Sequence, residues 1–163
     1  MRTRTIRSLI FLTAGIGLII SFFAVLEYYE ASLRSLCTIS QFFSCATVDQ
    51  SGKTSTLGIP DYLIGVGGFI AILVVAGIAE SRPRVRVWPY LLLLLTTLGV
   101  AFSAYFLYVQ LVEIGAFCVV CASAEAFGVL AWIGSILLVR APRPGGKGAA
   151  KERPTESPEG DAT

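Results

Sequence analysis

The sequence predicts an all-α integral membrane protein, built as a four-transmembrane-helix bundle with a long extracytoplasmic loop between helices 1 and 2. The composition is the first reason: 55% of the 163 residues are apolar, only 15% are charged, and the mean hydropathy is +0.73. The second reason is the presence of four apolar runs, each close to the roughly 20 residues that a helix needs to cross the hydrocarbon core. Little length remains for a soluble domain of any size.

The four runs follow one another within residues 1–140, which we interpret as one membrane domain. They are Leu9 to Leu26, Tyr62 to Ala79, Trp88 to Leu111 and Ala116 to Val139. The arginines that precede the first run would also suit a signal peptide. However, Ala24-Val-Leu-Glu-Tyr is not a convincing small-residue cleavage site, and the run is long. We therefore interpret the first run as a retained helix.

The basic residues predict the orientation of the bundle. Of the 13 lysines and arginines, only Arg34 and Lys53 lie between the first two runs, and the others flank the runs on the opposite side. Because basic residues accumulate in the cytoplasm, both termini are predicted to be cytoplasmic and all four cysteines extracytoplasmic, where disulfides persist. The net charge of +2 then reflects topology and not nucleic-acid binding. Residues 141–163, rich in Pro, Gly and charge, are predicted to form a disordered cytoplasmic tail.

Cys118-Val-Val-Cys121 forms a C-x-x-C at the start of the fourth run. The unpaired N–H groups and the dipole of a helix N-terminus favour a thiolate, and residues three apart share a helix face. One cysteine could therefore attack while the other resolves. The alternatives are that the cysteines only pack as small apolar residues or that four of them bind zinc. Histidine is absent, which removes His-dependent catalysis and His-ligated haem or zinc.

The second cysteine pair, Cys37 and Cys45, lies in the polar stretch between the first two runs. Its neighbours Leu36, Ile39, Phe42 and Phe43 predict an apolar stripe on a short surface helix in the bilayer interface. A purely structural loop disulfide is an alternative for this pair alone. The C-x-x-C on the same side favours exchange between the two pairs.

Taken together, these residues resemble the vitamin K epoxide reductase family in its bacterial or archaeal form, without a fused thioredoxin domain. The resemblance spans all four helices. Its motifs are the two cysteine pairs in this order, with the C-x-x-C in the last helix, and three further features of the chain: Ser51 six residues after Cys45, Gly58-Ile59-Pro60 before the second helix, and Gly65 within it. Another class of four-helix quinone reductase that forms disulfides carries its C-x-x-C in the first outer loop, which is the reverse order.

The resemblance implies an electron relay. Cys37 would face a thioredoxin-fold disulfide oxidase outside the cytoplasm, Cys45 and Cys118 would form a transient link, and Cys121 would attack or contact a quinone such as menaquinone or ubiquinone. The direction fits redox poise, because a strongly oxidising partner can be re-oxidised only by a still better acceptor. No metal and no nucleic acid are expected.

Two carboxylates are candidates for quinone binding. Glu125 follows Cys121 by four residues, so it is expected on the same helix face about 6 Å deeper. An acidic residue at that depth is costly, which suggests a hydrogen-bond donor or a proton carrier, with a structural hydrogen bond as the alternative. Asp61 could be an ordinary first-turn acid of the second helix. The resemblance instead places it where the family has an Asn facing the quinone, as it places Glu125 where a Tyr is common.

Two further residues complete the predicted site. Ser51 could hydrogen-bond a thiolate or cap a turn with Gly52. Phe117, beside Cys118, is a plausible contact for a quinone ring, whereas the other large aromatic residues are expected to pack or to lie in the interface.

The sequence therefore predicts a quinone-dependent thiol-disulfide oxidoreductase that supports disulfide formation. The alternatives are a quinone or epoxide reductase that recycles quinones, and a non-enzymatic scaffold with a structural loop disulfide.

Overall fold

The computed structural model describes residues 3–34, 37–53, 55–56, 58–82, 85 and 87–141. Four long helices are each long and apolar enough to cross a membrane, which confirms the predicted four-helix architecture. They are α1 (Thr3–Tyr29), α4 (Asp61–Ser81), α5 (Val87–Tyr108), which continues as a π-helical segment (Val109–Ile114), and α6 (Val119–Arg140). The predicted cytoplasmic tail lies outside the described residues from position 142 onward.

The segment between α1 and α4 carries structure of its own and is not a plain loop. It contains two short helices, α2 (Ala31–Arg34) and α3 (Cys45–Gln50), and a small antiparallel hairpin of β1 (Ser55–Thr56) with β2 (Ile59–Pro60). In the hairpin Thr56 lies opposite Ile59. Gly58 has a φ of 81°, a left-handed conformation that only glycine adopts easily, and this turn leads the chain into α4.

The predicted surface helix around Phe42 and Phe43 is wrong. The backbone of residues 39–43 forms a turn instead, in which the N–H groups of Ile39 and Ser40 both donate to the Phe43 carbonyl, at 2.9 and 3.2 Å. The Ser40 hydroxyl also accepts from the Phe43 N–H at 3.0 Å. A serine that bonds local backbone in this way competes with helix formation. Leu36, the first residue of the predicted stripe, lies outside the described residues.

The core of the bundle lies in its half away from the cysteines. α1 packs against α6 and α4, and α5 packs against the same two helices from the opposite corner. The buried residues of this core are mostly aliphatic: Ile6, Ile10, Ala14, Phe69, Ile72, Ala76 and Leu92. Gly17 accommodates the Phe69 ring and Gly134 accommodates Ile10, so the helices approach one another at small residues, as is typical of membrane bundles.

The connection from α5 to α6 determines where the last helix begins. The Gln110 carbonyl accepts from the N–H groups of Gly115 and Ala116, and Gly115 has a φ of 71°. This left-handed turn ends the π-helical segment. Cys118 is extended, with φ −90° and ψ 110°, and is the N-cap of α6. The last helix therefore begins three residues later than the predicted start at Ala116, because the tight reversal occupies the intervening residues.

Candidate active site

Both cysteine pairs are joined and lie together at one end of the bundle. Cys37 pairs with Cys45 and Cys118 pairs with Cys121, with Cα–Cα separations of 5.7 and 5.3 Å. The sulfur atoms of Cys37, Cys45 and Cys118 all lie within 4.8 Å of one another. Cys45 and Cys118 are each 1% exposed. The Cys37–Cys45 pair, which we call the outer pair, and the C-x-x-C pair are therefore neighbours inside one buried cluster.

Local structure positions one cysteine of each pair, Cys118 and Cys45. Cys118 Sγ accepts a hydrogen bond from the Cys121 N–H at 3.2 Å, so a sulfur takes the place of the usual capping oxygen at the start of α6. Cys45 is the first residue of α3, whose N-cap Ser44 accepts from the Thr47 N–H at 3.1 Å. Cys45 and Cys118 therefore both lie at the beginning of a helix.

A backbone contact holds the turn of residues 39–43, which we call the outer turn, against the C-x-x-C segment. The Phe117 N–H donates to the Phe42 carbonyl at 2.7 Å, and Phe43 and Phe117 form a parallel β-bridge. Their rings meet edge to face with centroids 5.9 Å apart. Phe117, predicted to contact the quinone, is thus a contact of the outer turn and is not among the residues that line the adjacent cavity.

Gln110 bonds to the same segment from the other side. Its side chain is fully buried, and its Oε1 accepts from the Cys118 N–H at 2.9 Å. Its Nε2 has no hydrogen-bond partner among the described residues. The backbone around Cys118 is therefore fixed by Phe42 through Phe117 and directly by Gln110.

A cavity of about 420 Å³ opens directly beside the C-x-x-C. Its α6 wall consists of Cys121, Ala124, Glu125 and Gly128, the spacing of one helix face. The other walls come from α1, α3, α4 and α5, and they are mainly apolar. A volume of this size with a few polar groups suits a small organic ligand. Cys121 is the cysteine that reaches the cavity, whereas Cys118 faces the outer pair.

Both predicted carboxylates line this cavity. Glu125 lies on the α6 wall, and its Oε1 is buried without a hydrogen-bond partner among the described residues. Asp61 is the first residue of α4 and is 9% exposed. Tyr62, one of the aromatic residues expected to pack or to lie in the interface, lines the same cavity. Its ring contacts that of Tyr28 in a tilted arrangement, with centroids 4.7 Å apart.

Ser51 lies at the end of α3 and forms its hydrogen bonds with backbone groups. Its hydroxyl donates to the Val48 carbonyl at 2.7 Å and accepts from the Lys53 N–H at 3.2 Å. Of the two roles considered for Ser51, capping a turn is the one its contacts match. The following residue, Gly52, has a φ of 69°, as a turn requires.

Three sulfurs this close together also have the reach of a soft metal site. Metal binding requires thiolates, and in this structure each of the four cysteines is in a disulfide. The arrangement therefore has to be reduced before a metal could compete with disulfide exchange.

Two polar residues of the site, Gln110 and Asp49, were not predicted from the sequence. Gln110 is an isolated amide inside an apolar run, eight residues before Cys118, and a polar side chain at membrane depth is itself a signal of function. Asp49 lies four residues after Cys45 on α3, on the same face of that short helix, and it lines the cavity. The loop position of α3 gave no reason to connect Asp49 with the membrane domain.

Comparison with known families agrees with this arrangement. The model of the vitamin K epoxide reductase family matches residues 8–136, more than half of the 163 residues. The matched range includes both cysteine pairs, the hairpin before α4 and the whole lining of the cavity. The four membrane-length helices, the adjacent cysteine pairs and this match together show that the chain belongs to the vitamin K epoxide reductase family.

Proposed function

We propose that this chain re-oxidises a thioredoxin-fold partner outside the cytoplasm and passes the electrons to a quinone in the membrane. Its family implies membrane thiol-disulfide and quinone oxidoreductase activity. The direction, the partner and the electron path are our proposal. The observation that carries it is the position of the C-x-x-C: Cys118 lies within 4.8 Å of both outer sulfurs, and Cys121 lines the cavity.

The relay begins at the outer pair. A partner thiolate attacks Cys37, a partner–Cys37 disulfide forms, the Cys37–Cys45 bond breaks, and Cys45 leaves as a thiolate. The second partner thiol then attacks the mixed disulfide, so the partner leaves oxidised and Cys37 becomes a thiolate. Two electrons have now moved to the outer pair.

The second stage moves these electrons inward. Cys45 attacks Cys118, the Cys118–Cys121 bond breaks, and Cys121 leaves as a thiolate. Cys37 then attacks Cys45, which restores the Cys37–Cys45 bond and leaves Cys118 as a thiolate. The sulfur cluster supports this order, because only Cys118 of the C-x-x-C lies with the outer sulfurs.

The cavity supports a quinone as the final acceptor. A quinone supplies a two-electron, two-proton acceptor that is soluble in the bilayer. The apolar walls would bind its ring, and Cys121 would contact it from α6. Glu125 and Asp61 would hold protons at the rim of the ring. Phe117 would keep the outer turn in place, and Ser51 would cap the end of α3, which carries Cys45.

The relay can be tested by trapping its central link. In Cys121→Ser, Cys118 has no partner thiol, so its thiolate should attack Cys45 of the Cys37–Cys45 disulfide. The Cys37–Cys45 bond then breaks, Cys37 leaves as a thiolate, and the Cys45–Cys118 disulfide persists because Cys121 is not there to resolve it. Peptide mapping after digestion of the alkylated protein should detect this link. Cys118→Ser is the matched control, since it retains Cys121 and should give no such link.

If Cys121→Ser contains only the Cys37–Cys45 disulfide under conditions in which the unaltered chain turns over, the two pairs act independently and the relay is wrong. An assay with the dithiol donor but without the protein partner then separates quinone recycling from partner oxidation. A recycling enzyme would turn over at full rate with a small dithiol alone.

Orientation has its own test. Both termini are proposed to be cytoplasmic, so Lys53 and Ser81, which are exposed near opposite ends of α4, should face opposite sides. In the oxidised protein, whose own cysteines are all paired, a membrane-impermeant thiol label on intact cells should modify Lys53→Cys and not Ser81→Cys. Labelling of Ser81→Cys alone would reverse the orientation.

A further inference from the structure

In the oxidised structure, the side-chain Nε2 of Gln110 is a buried hydrogen-bond donor without an acceptor among the described residues. Its Oε1 accepts from the Cys118 N–H at 2.9 Å, and because an N–H can only donate, this bond fixes which way the amide faces. The Nε2 group is consequently turned away from the Cys118 N–H. It is fully buried and has no acceptor among the described residues. Buried donors are nearly always paired, so this one calls for an explanation.

Cys118 lies in an apolar cluster of buried side chains. The apolar cluster there consists of Cys37, Cys45, Val48, Phe106, Ala116 and Cys118. Among these side chains only the cysteine sulfurs can accept a hydrogen bond. Gln110 is not among the residues that line the cavity, so its free donor is separate from the quinone side of α6.

The acceptor strength of those sulfurs depends on their redox state. A disulfide sulfur is a weak acceptor, whereas a thiolate is a charged and strong one. The backbone nitrogen and the Sγ of a cysteine are three bonds apart, so the amide that is bonded to the Cys118 N–H lies in the neighbourhood of the Cys118 sulfur. The π-helical segment that carries Gln110 is a rare structure that is frequently found at functional sites.

We propose that the Gln110 amide is a redox-dependent donor: its Nε2 donates to Cys118 Sγ when that sulfur becomes a thiolate. This inference rests on the proposed relay. There, Cys37 attacks Cys45 in the Cys45–Cys118 link, the Cys37–Cys45 bond forms, the Cys45–Cys118 bond breaks, and the electron pair stays on Cys118. The Gln110 donor and the Cys121 N–H, which already lies 3.2 Å from Cys118 Sγ, would then stabilise the leaving thiolate together.

Thiolate reactivity gives a direct test that needs neither partner nor quinone. The full chain in lipid nanodiscs is fully reduced, alkylated with iodoacetamide across a range of pH, and each cysteine is quantified by mass spectrometry. In Gln110→Met the pH midpoint for Cys118 should rise by about one unit, so its alkylation near neutral pH should slow about 10-fold. The midpoint for Cys37 should not change, which provides an internal reference.

The matched control is Val112→Met, an exposed position in the same π-helical segment. It should leave every midpoint unchanged. Altered access to a buried thiol changes the rate at all pH values, whereas a lost donor moves the midpoint, so the midpoint is the deciding quantity. An unchanged Cys118 midpoint in a folded Gln110→Met would overturn the proposal and leave Gln110 with its backbone contact alone.

A second measurement on the unaltered chain decides the matter if Gln110→Met does not fold. The sequence has three glutamines, and Gln41 and Gln50 are exposed. Selective ¹⁵N labelling of glutamine therefore gives three side-chain amides, of which one should shift and become protected from solvent exchange on reduction. Identical spectra in both redox states would refute the proposal. The Cys45–Cys118 trap tests the relay separately, so the two ideas can fail independently.

Discussion

At the end of the bundle away from the cysteines, α1 and α6 meet through aliphatic side chains and glycine, with Ile10 packed against Gly134. At the cysteine end, the chain is held by backbone and amide hydrogen bonds, from Phe117 to Phe42 and from Cys118 to Gln110. The first kind of contact depends on close packing of side-chain volumes, so rearranging it costs free energy. The second kind is directional and can exchange partners as sulfurs change state. One half of the molecule therefore supplies the fold and the other half supplies the chemistry.

The largest effect should come from the site half. Glu125→Gln retains a hydrogen-bond donor in the cavity but removes a titratable proton, so quinone reduction should slow by about 10²- to 10⁴-fold if Glu125 carries protons. Thermal stability should stay close to that of the unaltered chain, and reduction of the outer pair by the partner should be normal. Stopped-flow quinone absorbance and thermal unfolding measure the two quantities separately.

Glu80→Gln is the matched control, because Glu80 is exposed near the C-terminal end of α4, whereas the cavity lies at the N-terminal end of that helix. It should change neither rate nor stability. Turnover of Glu125→Gln at the unaltered rate across all pH values would make Glu125 a structural residue and would shift attention to Asp61.

An intermediate effect should come from the packing half. A Cβ at Gly134 would lie 2.7 Å from Ile10 Cγ1, an atom near the backbone that cannot swing aside. Gly134→Ala should therefore destabilise the bundle by about 1–3 kcal/mol. The thiol titrations at the cysteine end should be unchanged.

Gly77→Ala offers the matched comparison, since a Cβ at Gly77 meets nothing within 4 Å. In a helix interior this change should stabilise by about 0.5–1 kcal/mol. Thermal unfolding in the same detergent compares both variants. A Gly134→Ala protein as stable as Gly77→Ala would mean that the tight contact is not a constraint.

The smallest effect should come from the contact between the outer turn and α6. Phe43→Ala removes the edge-to-face pair with Phe117, an interaction worth about 0.5–1.5 kcal/mol. Exchange between Cys45 and Cys118 should slow by about 2- to 10-fold, the corresponding range in rate. Quinone reduction driven by a small dithiol that reduces the C-x-x-C directly should keep its rate.

Ile39→Ala serves as the control, because Ile39 lies in the same turn and is 77% exposed. Equal slowing in both variants would show that the whole turn matters through its surface and not through the Phe43–Phe117 contact.

The contrast between the two halves also explains what the sequence could predict. The helices follow from run length and hydropathy, which are properties of whole segments and survive local error. Cys121 and Glu125 are four residues apart on one helix, so their shared face follows from helical geometry alone. Both Glu125 and Asp61 line one cavity. Asp61 lies on a different helix, and the expectation for it came from the family resemblance; the roles of both residues are proposals.

The remaining features depend on contacts between segments distant in sequence. The turn of residues 39–43 replaces the predicted helix because the Ser40 hydroxyl and the Phe43 carbonyl bond local backbone. Phe117 precedes the extended N-cap of α6, so it belongs to the bridge with Phe43 and not to the helix face that lines the cavity. Gln110 is marked in the sequence only as a lone amide in an apolar run, and its bond to Cys118 depends on the turn between α5 and α6, which the sequence pattern does not predict.

The bridge between the outer turn and the C-x-x-C segment uses a main-chain carbonyl at Phe42 and a main-chain N–H at Phe117. Any residue other than proline at position 117 could make that bond. The side chains of Ile39 and Phe42 point outward and take no part in it. Both side chains can therefore be replaced without removing the main-chain bond that holds the turn beside the C-x-x-C segment. Replacing both exposed side chains and measuring partner preference against C-x-x-C turnover would show whether recognition and electron transfer can be engineered separately.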